Sequence, residues 1–379
     1  MRENSSQELI LHIGFHKTGT CAFQSILASN SERLAKLGMY YPALGRAPND
    51  PSHGTFANSF KSFERRMGFS KLSGADLIAE LSQHCSQNVV LLSSECFLED
   101  PEIPTAFAID LAQRFKRVRY CAVVRNPIAW LESVHAEVVK DPYRRFAGPF
   151  ELLREFRLGS YDFMQRLQPW RQALGQENEI LIDYDGGEGS IISPILSALF
   201  PASADILSLL DSKSEGLVNQ RLGFFATEFL RRVNMLPLTR KEHQAVVSAV
   251  MAASQTSLST VEKKTVHYLP DHLRDRVFDW QRRSASEAGW KPAGRRPSEP
   301  SESALYHPDM FELQHQRTVL EALPREVARS IRECALGFNG LDVSTQLLRA
   351  PPAKAEDYLI ATVERQRFEL RRMAAELES

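Results

Sequence analysis

Four short apolar runs, separated by longer segments with helical spacing, constrain the fold of this 379-residue chain more than any other feature. Continuous apolar runs of this length are typical of strands buried on both faces, and such strands occur mainly in parallel sheets. The runs are Leu9–Ile13, Val89–Ser93, Arg119–Val124 and Glu179–Asp183. The helical segments between them are Ala22–Leu37, Asp76–Cys85, Thr105–Phe115 and Ile128–Val139. This alternation predicts an α/β domain with a mainly parallel central sheet.

Beyond Ser190 the sequence lacks strand signals and predicts mostly helices. A stretch rich in proline and serine, residues 292–303, predicts a loop or linker. We therefore expect a core over residues 1–235 and a helical C-terminal extension over residues 236–379. The predicted helices are Leu217–Val233, Arg240–Met251, Asp271–Ser286, Gln316–Cys334 and Ala355–Glu378.

Charge and cysteine content exclude several classes of protein. The net charge of −1 argues against a dedicated nucleic-acid binder, although a local basic pocket for an anionic ligand is compatible with it. The five cysteines include no pair at C-x-x-C spacing, so neither a zinc site nor a redox pair is predicted. The N-terminus lacks the pattern of a secretory signal, and the apolar runs are too short to span a bilayer. These features predict a cytoplasmic protein with no transmembrane segment.

The segment Gly14–Cys21 follows the first predicted strand and precedes a predicted helix. Gly14 and Gly19 have the separation of the two glycines in a Walker A loop, G-x-x-x-x-G-K-[ST]. In such loops the backbone N–H groups and the N-terminus of the following helix bind phosphate. Here the lysine is Lys17, inside the loop, and Cys21 takes the place of the magnesium-binding hydroxyl. The loop therefore predicts binding of a phosphate group without a metal, and a glycine turn with an incidental lysine is the alternative.

A second phosphate element is predicted where another buried strand ends. Arg125 ends the strand, Pro127 suits the first turn of a helix, and Ser133 follows Arg125 by eight residues. An arginine side chain can pair with two phosphate oxygens at any working pH, and a serine adds a neutral hydrogen bond. Each half alone has a purely structural interpretation. Together, and in this order after the glycine loop, they are a more specific signal.

The motifs G-F-H-K-T-G-T and R-x-P-x-x-x-x-x-S resemble those of sulfotransferases that use 3′-phosphoadenosine 5′-phosphosulfate (PAPS), in the bacterial branch of that family. The resemblance covers about residues 8–235 and implies a three-layer, P-loop-like α/β fold. It implies that Lys17 stabilises the leaving phosphate, that Arg125 and Ser133 bind the 3′-phosphate, and that Cys21 contributes only its backbone. The residues that it implies around the 5′-phosphosulfate are Gly14, His16, Lys17, Thr18, Gly19, Thr20 and Cys21.

Transfer to a hydroxyl or amine also needs a base that takes the proton of the acceptor. Glu95, directly after the second buried strand, is the first candidate. His16 in the loop and His53 after the first helix are further candidates, because a neutral histidine suits this task. A structural role stays open for each: Glu95 as a cap or ion-pair partner, His16 bonded within its loop, and His53 exposed on the surface.

The predicted function is therefore transfer of a sulfuryl group from PAPS to a hydroxyl or amine acceptor, with a carbohydrate or glycoconjugate as the expected class. The expected product is 3′-phosphoadenosine 5′-phosphate, with no metal and no nucleic-acid partner, and the oligomeric state is open. Two alternatives remain: a P-loop kinase acting on a nucleotide or small molecule, and a non-catalytic nucleotide-binding module of the same fold.

Overall fold

The structure, a computed structural model, describes most of the first 255 residues and short segments beyond them. The described residues are 5–48, 50–61, 76, 79–80, 87–148, 150, 162–184, 191–201, 222–255, 266–267, 271–287, 304–305, 319–329 and 331.

The chain forms two compact units, each built from several chain segments. The first unit consists of Met1–Trp130, Asp162–Asn219 and Trp280–Arg295. The second consists of Leu131–Tyr161, Gln220–Asp279 and Arg296–Ser379. The predicted division at residue 235 stays a prediction.

The first unit contains a five-stranded sheet in which all paired strands are parallel. The strands are β1 Ser5–His12, β2 Met39–Tyr40, β3 Val89–Ser93, β4 Phe115–Arg125 and β5 Glu179–Tyr184. Their order across the sheet is β2-β3-β1-β4-β5. The predicted α/β class with a mainly parallel sheet is confirmed, and four of the strands correspond to the four apolar runs. The two-residue β2 was not predicted, because two residues carry no periodicity.

Helices connect the strands of the first unit, and further helices form most of the described part of the second unit. Helix α5 begins in the first unit and ends in the second. The helices are α1 Thr20–Ser29, α2 Ser31–Lys36, α3 Gly54–Ser59, α4 Ile103–Asp110, α5 Pro127–Lys140, α6 Phe163–Leu174, α7 Ile192–Leu199, α8 Phe224–Val233, α9 Arg240–Gln255 and α10 Asp271–Glu287.

Two predicted helices differ from those observed. The single helix predicted over Ala22–Leu37 is two helices that meet at Asn30. The side-chain amide of Asn30 donates to the carbonyl of Ile26 at 2.9 Å, and its backbone N–H donates to the same oxygen at 3.0 Å. A short polar side chain that bonds the backbone in this way favours the end of a helix. The helix predicted over Thr105–Phe115 is observed as α4, which ends at Asp110. Phe115, the last residue of the predicted helix, is instead the first residue of β4.

Other predicted segments lie wholly or partly outside the described residues. The linker at residues 292–303 and the helix Ala355–Glu378 lie wholly outside them. Only a few residues of Asp76–Cys85 are described, and the predicted helices Leu217–Val233 and Gln316–Cys334 are described in part.

Both faces of the sheet are covered by helices, which makes the unit three-layered. On one face, Ile10 and Val123 belong to a core cluster that includes Phe23 of α1 and Ile195 of α7. Cys121 of β4 belongs to the same cluster, and Tyr120, which directly precedes it, points to the other face, since side chains alternate along a strand. There the helix α6 packs through Trp170, whose ring centroid is 6.0 Å from that of the Tyr120 ring.

The second unit is mostly helical in its described residues. Its core includes Phe229 and Leu230 of α8 and Val250 of α9. The Asn234 amide donates to the carbonyl of Val139 at 2.7 Å. A two-stranded parallel pair, β6 Val266–His267 and β7 Ala304–Leu305, is too short to leave a sequence signal. Within the described parts of the chain, no helix has the length and apolar composition needed to cross a membrane.

Candidate phosphate and transfer site

The glycine loop connects β1 to α1 at the carboxyl end of the central strand of the sheet. Gly19 has a φ of 82°, which suits glycine, and an added Cβ there would lie 2.9 Å from Cγ2 of Ile191. An added Cβ at Gly14 would lie 2.7 Å from Nε2 of His12. Both positions therefore favour glycine, because a side chain would come too close to His12 or Ile191. Lys17 also has a left-handed backbone, with a φ of 67°, so the turn is tight at the lysine itself.

Three consecutive carbonyls of this loop are each held by a side chain. The bonds run from Thr18 Oγ1 to Phe15 O at 2.7 Å, from Trp130 Nε1 to His16 O at 2.8 Å, and from Arg125 Nη1 to Lys17 O at 2.7 Å. In a trans peptide the N–H points away from the C=O of the same peptide group. The three amides of these peptide groups therefore point away from the side chains that hold the carbonyls. Loops that bind anions do so through backbone N–H groups, and these three side chains fix the orientation of the peptide groups that carry them.

Arg125 lies at the end of β4, where the sequence predicted it, and it contacts the loop directly. Its guanidinium carbon is also 5.7 Å from the ring centroid of Tyr184. Ser133 is half-buried and belongs to the part of α5 that lies in the second unit. The joint role of the two residues at a 3′-phosphate stays a prediction. Trp130 was not singled out from the sequence, because an indole at the start of a helix carries no signal of its hydrogen bond.

Glu95 begins a short 3-10 turn, Glu95–Leu98, just after β3. Its carboxylate accepts hydrogen bonds from the Thr20 hydroxyl, through Oε1, and from the Gln24 amide, through Oε2 at 3.0 Å. Burial would raise the pKa of Glu95, but the His12 ring and these two hydrogen bonds outweigh it, so the pKa is lowered. The structure therefore brings the first base candidate into contact with Thr20, the residue that follows the second glycine of the loop.

His12, the last residue of β1, was missed by sequence reasoning. The ring is fully buried, and Nδ1 lies 2.7 Å from the hydroxyl oxygen of Ser93. Burial lowers the pKa of His12 to about 4, although the nearby Glu95 carboxylate opposes this effect. A polar residue that interrupts an apolar strand just before a phosphate loop is a signal that could have found it.

His53 is buried rather than exposed, and its ring is fixed on both sides. Nε2 is 3.0 Å from the carbonyl of Pro42, and Nδ1 accepts the N–H of Ser93 at 3.1 Å. Burial lowers the pKa of His53 to about 3. The ring is thus neutral near pH 7 and supports the end of β3 through backbone groups.

His16 is half-exposed and ties the loop to the residue after the 3-10 turn. Its Nε2 is 3.1 Å from Oε1 of Glu99, and Lys61 Nζ is 2.8 Å from Oε2 of the same carboxylate. The hydrogen bond from His16, together with Lys61, lowers the pKa of Glu99 to about 2. Cys21 is an exposed thiol on the first turn of α1. Among the described residues, no group of three or more His, Cys, Asp or Glu side chains could hold a metal ion.

Comparisons with known proteins find two distant likenesses, and no family model matches the chain. An uncharacterized protein of Archaeoglobus fulgidus is 27% identical over 169 residues, which cover 43% of this chain. The match spans 44% of that protein, less than half of its length. The crystal structure of a sulfotransferase from Alicyclobacillus acidocaldarius aligns with a TM-score of 0.34 and 14% identity, over 57% of this chain and 83% of that one.

Proposed function

We propose that this protein is a sulfotransferase that moves a sulfuryl group from PAPS to a hydroxyl or amine acceptor, with a carbohydrate or glycoconjugate as the acceptor class. The observation that carries the proposal is the glycine loop. Its carbonyls are held by Thr18, Trp130 and Arg125, and its lysine lies inside the loop at Lys17. A lysine inside the loop and a cysteine at Cys21 favour a phosphosulfate over a magnesium-bound triphosphate.

The donor fits the chemistry of these residues. The amides of the loop and the N-terminus of α1 would bind the 5′-phosphosulfate, and Gly14 and Gly19 let the loop pack closely against His12 and Ile191. Lys17 would lie at the oxygen that bridges phosphorus and sulfur, where negative charge develops as the donor breaks. Arg125 and Ser133 would bind the 3′-phosphate, with the guanidinium supplying the charge.

The transfer step then involves one base and one leaving group. The acceptor oxygen or nitrogen attacks sulfur and its proton passes to the base, while the bond between sulfur and the bridging oxygen breaks. The electron pair of that bond leaves with 3′-phosphoadenosine 5′-phosphate, next to the Lys17 ammonium. Most of the acceleration in such a step comes from positioning and electrostatics.

Glu95 is the base in this proposal, because its carboxylate, whose pKa is lowered, lies beside the loop and contacts Thr20, the first residue of α1. His53 is a positioning residue, since both of its ring nitrogens are engaged and burial keeps the pKa low. His16 is the alternative base, because its ring is half-exposed within the loop. A cytoplasmic location is part of the same proposal and agrees with the thiols of Cys21, Cys96 and Cys121.

Calorimetric titration with 3′-phosphoadenosine 5′-phosphate, 5′-AMP and ATP tests the proposal. We expect the bisphosphate to bind without Mg²⁺ and more tightly than 5′-AMP, which lacks the 3′-phosphate. A preference for ATP with Mg²⁺ would contradict the proposal and favour a kinase. The acceptor class is tested by incubating the protein with ³⁵S-labelled PAPS and fractionated cell extract, where label in glycans is the expected result.

A further inference from the structure

The Glu95 carboxylate is held by two side chains of the helix that follows the phosphate loop. Thr20 donates to Oε1, and Gln24, one turn along α1, donates to Oε2 at 3.0 Å. All three residues are buried: Thr20 is 1%, Gln24 2% and Glu95 8% exposed. Both oxygens of the proposed base are therefore engaged, and both donors come from α1.

The Thr20 hydroxyl lies where two acceptors compete for one hydrogen. Thr20 is the first residue of α1 and follows Gly19 directly, so its hydroxyl lies at the helix N-terminus where a phosphate in the loop would bind. A hydroxyl donates only one hydrogen bond. An ionised phosphosulfate and an ionised carboxylate are both acceptors only, so Thr20 can serve one of them at a time.

We propose that Thr20 couples binding of the donor to activation of the base. When a phosphate occupies the loop, the Thr20 hydroxyl donates to it and leaves Oε1 of Glu95 open to the proton of the acceptor. Gln24 is a positioning residue that keeps the carboxylate in place through Oε2. This inference rests on the proposed function and adds an order to it: the base becomes competent only after the donor has bound.

The electrostatic surroundings of Glu95 would make it a stronger base once Thr20 has turned to the phosphate. Burial raises the pKa of Glu95, and the His12 ring and the hydrogen bonds from Thr20 and Gln24 lower it. Losing the Thr20 bond and gaining a phosphate nearby would both raise the pKa and so strengthen the base. Tyr41 and Cys96 also face Glu95, and burial raises the pKa of each, so both stay protonated near pH 7.

Proton uptake on binding of 3′-phosphoadenosine 5′-phosphate tests this coupling. Calorimetry in two buffers of different ionisation enthalpy, at a series of pH values from about 7 down to the lowest at which the protein stays folded, gives the number of protons taken up. Comparison with Glu95→Gln cancels the protons of the nucleotide itself. We expect wild type to take up more protons than Glu95→Gln, because loss of the Thr20 bond and the nearby phosphate both raise the pKa of Glu95.

The Thr20 and Gln24 variants identify the source of that excess. For Thr20→Val, the excess is measured against the double variant Thr20→Val/Glu95→Gln. It should be less than half of the wild-type excess, because repulsion by the phosphate is then the one remaining cause of the rise in the pKa of Glu95. Thr20→Ser should keep the wild-type excess, and so should the matched control Gln24→Met, whose lost bond is absent both before and after binding. Thr20→Ala takes the place of the valine variant if that variant does not fold.

The outcomes separate this inference from the proposed function. Absence of nucleotide binding by wild type overturns both. Binding with no excess over Glu95→Gln, or with an excess that Thr20→Val keeps in full, overturns the coupling alone and leaves the proposed function intact.

Discussion

At the scale of single residues, Lys17 combines a charge with an unusual backbone conformation. Its φ of 67° puts a side chain in the left-handed region, which costs about 1 kcal/mol for any residue but glycine. The same turn brings the lysine into a loop whose carbonyls face other side chains. The charge therefore lies at the tight turn of the loop, and its effects on binding and on stability can be separated.

Replacing Lys17 with alanine or with glycine separates the effect of the charge on binding from the effect of the backbone conformation on stability. Both variants should bind 3′-phosphoadenosine 5′-phosphate at least about tenfold more weakly, because each loses a charge-assisted contact. Lys17→Gly should melt at a higher temperature than Lys17→Ala, because glycine adopts a positive φ without strain. Titration calorimetry and thermal unfolding measure the two effects. Lys36→Ala, at an exposed position in α2, is the control, and wild-type affinity in Lys17→Ala would contradict the role of the charge.

At the scale of elements, the sequence predicted those with a strong period and missed those decided by local bonds. The four strands predicted from the apolar runs, and α5, lie within a few residues of their predicted bounds. The break between α1 and α2 was missed because it depends on the side chain of Asn30. The hydrogen bond to the His16 carbonyl was missed for a different reason, because Trp130 reaches it across 114 residues of chain.

Phenylalanine variants of two buried tryptophans test how the glycine loop is held in place. Trp130→Phe keeps an aromatic ring and removes the N–H bond to the His16 carbonyl, so nucleotide affinity should fall about five- to tenfold. Trp170→Phe alters the packing between α6 and β4 without removing a hydrogen bond to the loop, and should lower the melting temperature with little change in affinity. Equal loss of affinity in both variants would show that general destabilisation, rather than the loop bond, is responsible.

At the scale of the whole molecule, the buried histidines of the first unit link its stability to pH. Burial lowers the pKa of His12 to about 4 and that of His53 to about 3, below their ordinary value of 6.5. As pH falls below 6.5, the unfolded chain takes up protons that the folded unit does not. The folded unit therefore loses stability on acidification, and the slope approaches about 1.4 kcal/mol per pH unit for each histidine once the pH is well below 6.5.

Urea unfolding between about pH 7 and pH 5 measures this slope. His53→Gln should unfold with a smaller slope, because glutamine stays neutral and its amide can replace both bonds of the ring. A slope unchanged in this variant would mean that His53 does not stay neutral in the folded unit. Absolute stability at pH 7 serves as the check that the glutamine has been accommodated.

The class of the fold and the position of the glycine loop could be predicted from the sequence alone, because both depend on local features. Apolar runs of strand length predict a parallel sheet, and Gly14, Lys17 and Gly19 lie within a few residues of one another. The assembly of the candidate site could not be predicted in this way, because it depends on contacts between distant parts of the chain. Glu95 meets Thr20 and Gln24 across more than 70 residues of chain, and His12 meets Ser93 across 81. Such contacts depend on the order and register of the strands, which bring the carboxyl ends of β1 and β3 side by side.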